Sequence, residues 1–224
     1  MIEIISIDKD YVIIHKPKGI PSQSDPGGDD DAMTLTSRLL REGGKTDTLY
    51  LIHRLDRVVG GLMVFARNKK SAAELSSLVA EHNFTKEYYA VVEGRAEGGT
   101  LRDYLYKDAA LGKAFVTDRK RSGVKSAELD YVCLGTVTQD DKELSLVKIQ
   151  LKTGRFHQIR AQFASRKMPL IGDKKYGSRD FKSKTPALFA TRLAFELFGR
   201  KVEEKRLPDL SEYPWSLFEE NKYV

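Results

Sequence analysis

Apolar residues fall along this chain mostly in short alternating or continuous runs that predict strands, and three stretches show the three-to-four spacing of a helix. YVIIH (Tyr11 to His15) reads as a strand, and KPKGIP stops it because Pro17, Gly19 and Pro21 cannot continue regular structure. A polar, Gly/Asp-rich loop from Ser22 to Asp31 precedes TLTSRLLRE, a short amphipathic helix. After the turn-like GGKTDT, LYLIHRLD leads through Gly60 and Gly61 into LMVFA, an apolar β-prone run expected to be a buried strand. Asp56 is thereby placed on the loop before that strand. Asn68 can cap a helix through KKSAAELSSLVAEH, in which Ala72, Leu75, Leu78 and Val79 form one buried stripe. KEYYAVVEG is the next strand, with Tyr88 and Tyr89 on opposite faces because strand side chains alternate, so only one of them can face a cleft. Strands at LRDYLY, AELDYVC and ELSLVKIQL, the last with Val147, Ile149 and Leu151 on one face, continue as a meander. TGR then turns into the helix HQIRAQFASRK, where Phe156, Ile159 and Phe163 take the buried spacing and Arg160 and Gln162 are expected to point elsewhere. ALFATRLAFEL is the last strand.

Strands in runs with few helices between them predict an α+β fold around a mixed, largely antiparallel sheet with flanking helices and loops. A length of 224 residues suffices for a core without disulfides or metals, and the chain is read as one domain, residues 1 to 224. Hydrophobic residues at 41% and charged residues at 31% exclude wholesale disorder. No stretch is long enough to span a bilayer, and charges interrupt the opening MIEIISIDKDYVIIH, which therefore lacks the form of a signal peptide. A cytoplasmic location is expected. Cys133, the only cysteine, is expected to be a buried strand thiol and has no partner for an intrachain disulfide.

Thirty-eight Lys and Arg against 32 Asp and Glu give a net charge of +6 and a pI near 9.2, compatible with a polyanionic partner. The cations gather in Lys107 to Lys125, in TGRFHQIR, in Ser165 to Lys167 and in GDKKYG, while the acidic GGDDDA stands apart, so one positive face is expected. Walker-type phosphate loops, GxGxxG, paired CxxC and HExxH are absent from the sequence, which removes the common nucleotide, flavin and zinc chemistries. Any reaction here must use ordinary side chains.

Two segments could supply them. HRLD, His53 to Asp56, sets a carboxylate before two glycines and a buried strand, though the tetrapeptide alone reads more readily as a surface salt-bridge loop with Arg54 and Arg57. KTGRFHQIR, Lys152 to Arg160, packs four cations and a histidine around a glycine turn at a helix start, suited either to phosphate or to solvent. Together with DYVIIHKPKGI, KEYYAVVEG and IGDKKYG, in this order from about Ile5 to Phe195, these segments resemble the RluA-type family of pseudouridine synthases.

The resemblance implies a pseudouridine-synthase catalytic fold with a central cleft. It makes Asp56 the essential carboxylate, places Tyr88 against the uracil, pairs Arg155 with Asp56 and sends Arg54 into the RNA stack. Arg160 and Lys152 are further RNA-contact candidates, as is Lys16, which is read either as structural or as a phosphate contact. No cofactor and no metal are implied, and the partner is structured RNA, ribosomal or transfer, with ribosomal favoured and a monomer as the default state. The chemistry is coherent. Breaking N1–C1′ and joining C5 to C1′ has no net redox change, and an ionised carboxylate can either attack C1′ or remove the C2′ proton. An arginine offers a carboxylate a planar two-point match, a tyrosine stacks on uracil and can move a proton, and an arginine can fill the gap left by an extruded base. His53 and His157 are expected to hold loops through backbone hydrogen bonds. Tyr89, Leu193 and Ile159 are expected in the core, and Tyr176 as a turn anchor.

The chain departs from the commoner family pattern at Val58 and Val59, often a Ser/Thr pair, at Gln162, often histidine, and at Arg166 and Lys167 before the Pro-Leu-Ile-Gly turn. It also begins directly at the catalytic domain, so no separate N-terminal RNA-binding domain is expected. Two rival readings remain open at this point: an RNA-binding module of the same fold without turnover, and a nucleoside hydrolase using Asp56, which would ordinarily call for a second acid or a metal site.

Overall fold

The computed structural model describes residues 1–24, 30–119 and 122–223, so part of the Ser22 to Asp31 loop, and Lys120 and Arg121 of the basic run, lie outside the described residues. Among the described residues there are eleven strands and three α-helices, an α+β architecture as expected. The chain divides into two compact units, residues 1–86 with 190–206 and residues 87–189 with 207–224.

In the first unit β1 (Glu3–Ile7) pairs antiparallel with β2 (Tyr11–Lys16), and β2 pairs antiparallel with β4 (Gly60–Ala66). The short β3 (Tyr50–Leu51) also pairs with β4, and β10 (Leu188–Leu197), which belongs to this unit from Ala190 on, lies beside β4 and pairs with β11 (Arg200–Lys205). All seven residues of β4 are buried, which is why the strand is continuously apolar rather than alternating. Leu62, Val64 and Ala66 pack with Ile13, Leu75, Phe84, Leu193 and Phe195 in one core cluster. Gly61 is required at the head of β4: its φ is +126°, and a Cβ there would lie 2.7 Å from the Ala190 Cα, inside van der Waals contact with that residue's backbone.

Helix α1 (Ala32–Glu42) begins two residues before the expected start because Asp31 caps it, its carboxylate accepting from the Thr34 N–H at 2.9 Å. Helix α2 (Lys69–Ala80) is capped by Asn68, whose side chain accepts from the Ser71 N–H, and Leu75 anchors the predicted stripe with Ala72, Leu78 and Val79 around it. β1, β3 and β11 were not anticipated. β11 continues from β10 through a turn at Phe198 and Gly199 into a strand rich in charges of both signs, RKVEEK, with no apolar run to reveal it.

The second unit is an antiparallel meander in the order β5 (Thr85–Glu93), β9 (Lys142–Leu151), β8 (Val124–Gln139), β6 (Gly99–Asp108), β7 (Lys113–Thr117). Helix α3 (Gln158–Ser165) packs across β6 and β7, where Leu105, Ala114, Ala127, Ala161 and Tyr176 form a small core. A larger cluster joins Tyr89, Val91, Leu144, Leu146, Ile171 and Ala187 to Trp215, Phe218 and Tyr223 from the C-terminal segment, with the Tyr223 hydroxyl donating to the Trp215 carbonyl. Cys133 corrects an expectation: at a bulge in β8 it is half-buried rather than buried, its Sγ 3.6 Å from the Gly135 carbonyl.

Candidate active site

HRLD lies wholly in the first unit, on the turn between β3 and β4. Leu55 is the fixed point. Its side chain is buried, its N–H donates to Ser22 Oγ at 2.9 Å, and Ser22 Oγ donates to its carbonyl at 2.7 Å. The residues bracketing Leu55 face outward: Arg54 is exposed and Asp56 half-exposed. The Asp56 carbonyl closes the turn by accepting from the Val59 N–H, and Gly60 and Gly61 then enter the sheet. His53 is held as expected, Nε2 accepting from the Val64 backbone N–H at 3.2 Å. Burial, with Lys86 nearby, pulls the His53 ring down to about 3, so it is neutral at working pH and carries its proton on Nδ1, which is buried without a hydrogen-bond acceptor.

Lys16 is placed differently from a phosphate contact. It is 0% exposed, and Nζ donates to the carbonyls of Pro17 (3.0 Å), Ile20 (2.7 Å) and, at longer range, Arg57 (3.4 Å). It ties KPKGIP to the turn that carries Asp56. Burial pulls this ammonium down to about 7 while the Asp56 carboxylate works in the opposite sense, so the two charges favour one another. Of the two readings of Lys16 the geometry fits the structural one, and its candidacy as an RNA contact is corrected: a cation with no solvent exposure and three carbonyls around it is an internal brace.

Tyr88, Arg155, Lys152 and Arg160 belong to the second unit. Tyr88 on β5 is buried opposite Ile149 of β9, on the face away from Tyr89. Arg155 stands half-buried on the turn after β9. Its N–H donates to Gln158 Oε1 at 3.0 Å and its Nε to the Ser126 carbonyl at 2.8 Å, which sets the plane of the guanidinium. Gln158 also accepts from Thr153 Oγ1 and donates to the Glu128 carbonyl, so the TGR turn is closed by side chains of its own segment. Lys152 remains near the surface, 3.2 Å from Asp130.

Arg160 and Gln162 do not point away from the core, and Arg160 is not an outward RNA contact. Arg160 is 5% exposed and binds Asp173, 1% exposed, through two parallel bonds: Nε to Oδ2 at 2.6 Å and Nη2 to Oδ1 at 2.8 Å. Its guanidinium also lies 5.0 Å over the Tyr176 ring, and Gln162 is buried with Nε2 donating to Asp103 at 2.7 Å. Helical spacing marks which positions face a core, but it misplaces a polar residue whose partner comes from a segment far along the chain. Tyr176 is a turn anchor as expected: its hydroxyl accepts from the Ala114 N–H at 2.8 Å and lies 3.0 Å from His157 Nδ1. Burial pulls His157 down to about 3, with Arg160 adding to the effect, so the ring that meets this hydroxyl is neutral. Ser22 and Asp173 were missed. Ser22 has no motif around it, and Asp173 stood inside the quoted IGDKKYG without a partner to suggest its role.

Among the described residues no group of three or more His, Cys, Asp or Glu is placed to hold a metal ion, and no helix is long and apolar enough to cross a membrane. The first unit thus sets a loop carboxylate beside a buried cation, and the second holds an arginine oriented by its own turn. The chain belongs to the RNA pseudouridylate synthase family, whose model matches residues 10–165, a stretch that contains Asp56, Tyr88 and Arg155. It is 28% identical over 215 residues to an uncharacterised RNA pseudouridine synthase of Haemophilus influenzae, covering 95% of this chain and 90% of that one. It is 29% identical over 212 residues to ribosomal large subunit pseudouridine synthase C of Rickettsia conorii, covering 92% and 68%. The structure of human RNA pseudouridylate synthase domain containing 4 shares the fold with a TM-score of 0.75 at 23% identity, covering 92% of this chain and 89% of that one. The protein is thus an RNA isomerase, and the family resemblance read from its motifs holds.

Proposed function

We propose that this enzyme isomerises uridine in structured ribosomal RNA, with Asp56 as the reacting carboxylate, Tyr88 against the extruded uracil, Arg155 as the cation that orients the carboxylate, and Arg54 in the gap left in the stack. The observation that supports Asp56 most directly is the construction of its turn. Leu55 is locked to Ser22, Lys16 braces the Arg57 carbonyl from below, and Arg54 and Asp56 are left facing outward on either side of the lock. A surface salt-bridge loop has no need of a buried lysine beneath it. Flipping the uridine out costs about a few kcal/mol, which contacts such as Arg54 offset. The Rickettsia relative is named for the large ribosomal subunit, and this supports ribosomal RNA as the substrate class.

The test is Asp56→Asn, with pseudouridines mapped across ribosomal RNA from cells carrying either form and with purified protein on ribosomal transcripts. The variant should make no pseudouridine while keeping its unfolding midpoint and its RNA affinity. Normal turnover by Asp56→Asn sinks the assignment, and absence of turnover in the unaltered enzyme on every ribosomal transcript sinks the substrate class.

A further inference from the structure

Residues 174–184, KKYGSRDFKSK, follow the stretch matched by the family model. They present one feature that the reacting residues leave unexplained. Phe181 is 82% exposed, and Lys174 Nζ lies 5.6 Å from its ring centroid. A single exposed aromatic is ordinary by itself; what singles this one out is the charge and the bracing around it. The surroundings are basic. Lys174, Lys175, Arg179, Lys182 and Lys184 are all exposed, against one acid in the segment, Asp180, whose carboxylate accepts from the Tyr213 hydroxyl at 2.6 Å. Among the described residues Lys182 is ion-paired with Asp140 at 2.6 Å.

The segment is also held in place, which distinguishes it from a tail that happens to contain an aromatic. Ser178 Oγ donates to Glu93 at 2.6 Å and accepts from the Gly172 N–H, and the Arg179 N–H donates to the same Glu93 carboxylate. Beyond the tip, the Ser183 N–H donates to Asp180 at 2.9 Å and Ser183 Oγ to the Thr185 carbonyl at 2.7 Å. Gly172 has φ +76°, and a Cβ there would meet the Ser183 side chain at 2.7 to 2.8 Å, so the two ends of the segment are packed against each other. The bracing leaves the Phe181 ring at an exposed tip.

We propose that the Phe181 tip is a second RNA contact, at which an unpaired base of the substrate stacks on the ring while the surrounding cations take the phosphates. A fixed aromatic amid cations is the arrangement that binds single-stranded RNA with little sequence preference. The inference rests on the chain's action on RNA, and it adds a surface that selects where unpaired nucleotides must lie.

The test measures binding of a short fluorescein-labelled oligoadenylate and of a ribosomal transcript at low and at physiological salt. Phe181→Ala should weaken oligoadenylate binding by roughly five- to hundred-fold, the size of a lost base stack. Phe181→Tyr should restore it and Phe181→Leu should not. Replacing Lys182 and Lys184 by glutamate should weaken binding and flatten its salt dependence. Unchanged affinity in Phe181→Ala overturns the proposal, as does full rescue by Phe181→Leu, which would describe an aliphatic contact suited to a protein surface. Failure of the wider reading looks different: the unaltered protein would then bind neither RNA or would make no pseudouridine in any transcript, whatever stands at position 181.

Discussion

Asp173→Asn is a perturbation whose size follows from the geometry. The substitution keeps the shape of the side chain and removes its charge, so the Arg160 guanidinium, 5% exposed, is left facing an amide that can accept only one of its two bonds. Breaking one side of a buried pair of this kind costs about 3–5 kcal/mol, far more than the median surface pair, because a desolvated cation loses its counter-charge. For a chain of this length each kcal/mol moves the unfolding midpoint by about 2–4 °C, which puts the variant roughly 6–20 °C below the unaltered protein by circular dichroism. The loss has a second signature. Replacing both partners by apolar residues, Arg160→Met with Asp173→Leu, should recover most of the stability, since a well-packed apolar pair can match or exceed a buried ion pair. The double-mutant cycle then gives a coupling of about 1–3 kcal/mol at the least. A single variant that melts within about 2 °C of the unaltered protein refutes the brace, because that shift is worth only about 1 kcal/mol. A double variant no more stable than either single one refutes the account of its cause.

Three further outcomes are expected. Gly61→Ala should lose about 2–4 kcal/mol in urea unfolding, from backbone strain at φ +126° and overlap with Ala190, and a loss under about 0.5 kcal/mol would show that β4 and β10 can part without cost. Lys16→Met should leave the slope of RNA affinity against salt unchanged while Lys152→Ala lowers it; a drop of about one in the Lys16 slope would mean that this lysine does reach a phosphate. The rings of His53 and His157, held near 3 by burial, should show no imidazole titration in NMR spectra above pH 5. The sign follows from proton binding: between about 3 and the ordinary 6.5 the unfolded chain holds protons that the native one does not, so stability falls as pH falls through that window. A native midpoint near 6.5 for either ring contradicts the burial.

Periodicity and turn chemistry revealed the elements whose apolar residues face one core: β2, β4, α2 with its Asn68 cap, and β5, β6, β8 and β9 of the meander, but not β7. They could not reveal β11, whose charged residues pair with β10 on an edge and bury little, or the C-terminal segment, whose aromatics stand singly until Trp215, Phe218 and Tyr223 meet Tyr89 and Val91. At the site, the position of Asp56 ahead of a buried strand was legible because glycines and apolar residues have local meaning. What braces it was not. Ser22 and Lys16 reach partners 33 and 41 residues away, and a buried lysine has the same one-letter appearance as one that binds phosphate.

Trp215 is the chain's one tryptophan, and its indole is buried in the second unit. Its emission is therefore a private reporter of half the molecule, while the helical circular dichroism signal carries α1 and α2 from the first unit and α3 from the second. Recorded side by side in urea, the two signals ask whether the units unfold as one cooperative body. Coincident midpoints for Gly61→Ala, a lesion of the first unit read by a lamp in the second, would measure how tightly the stability of one half is shared by the other.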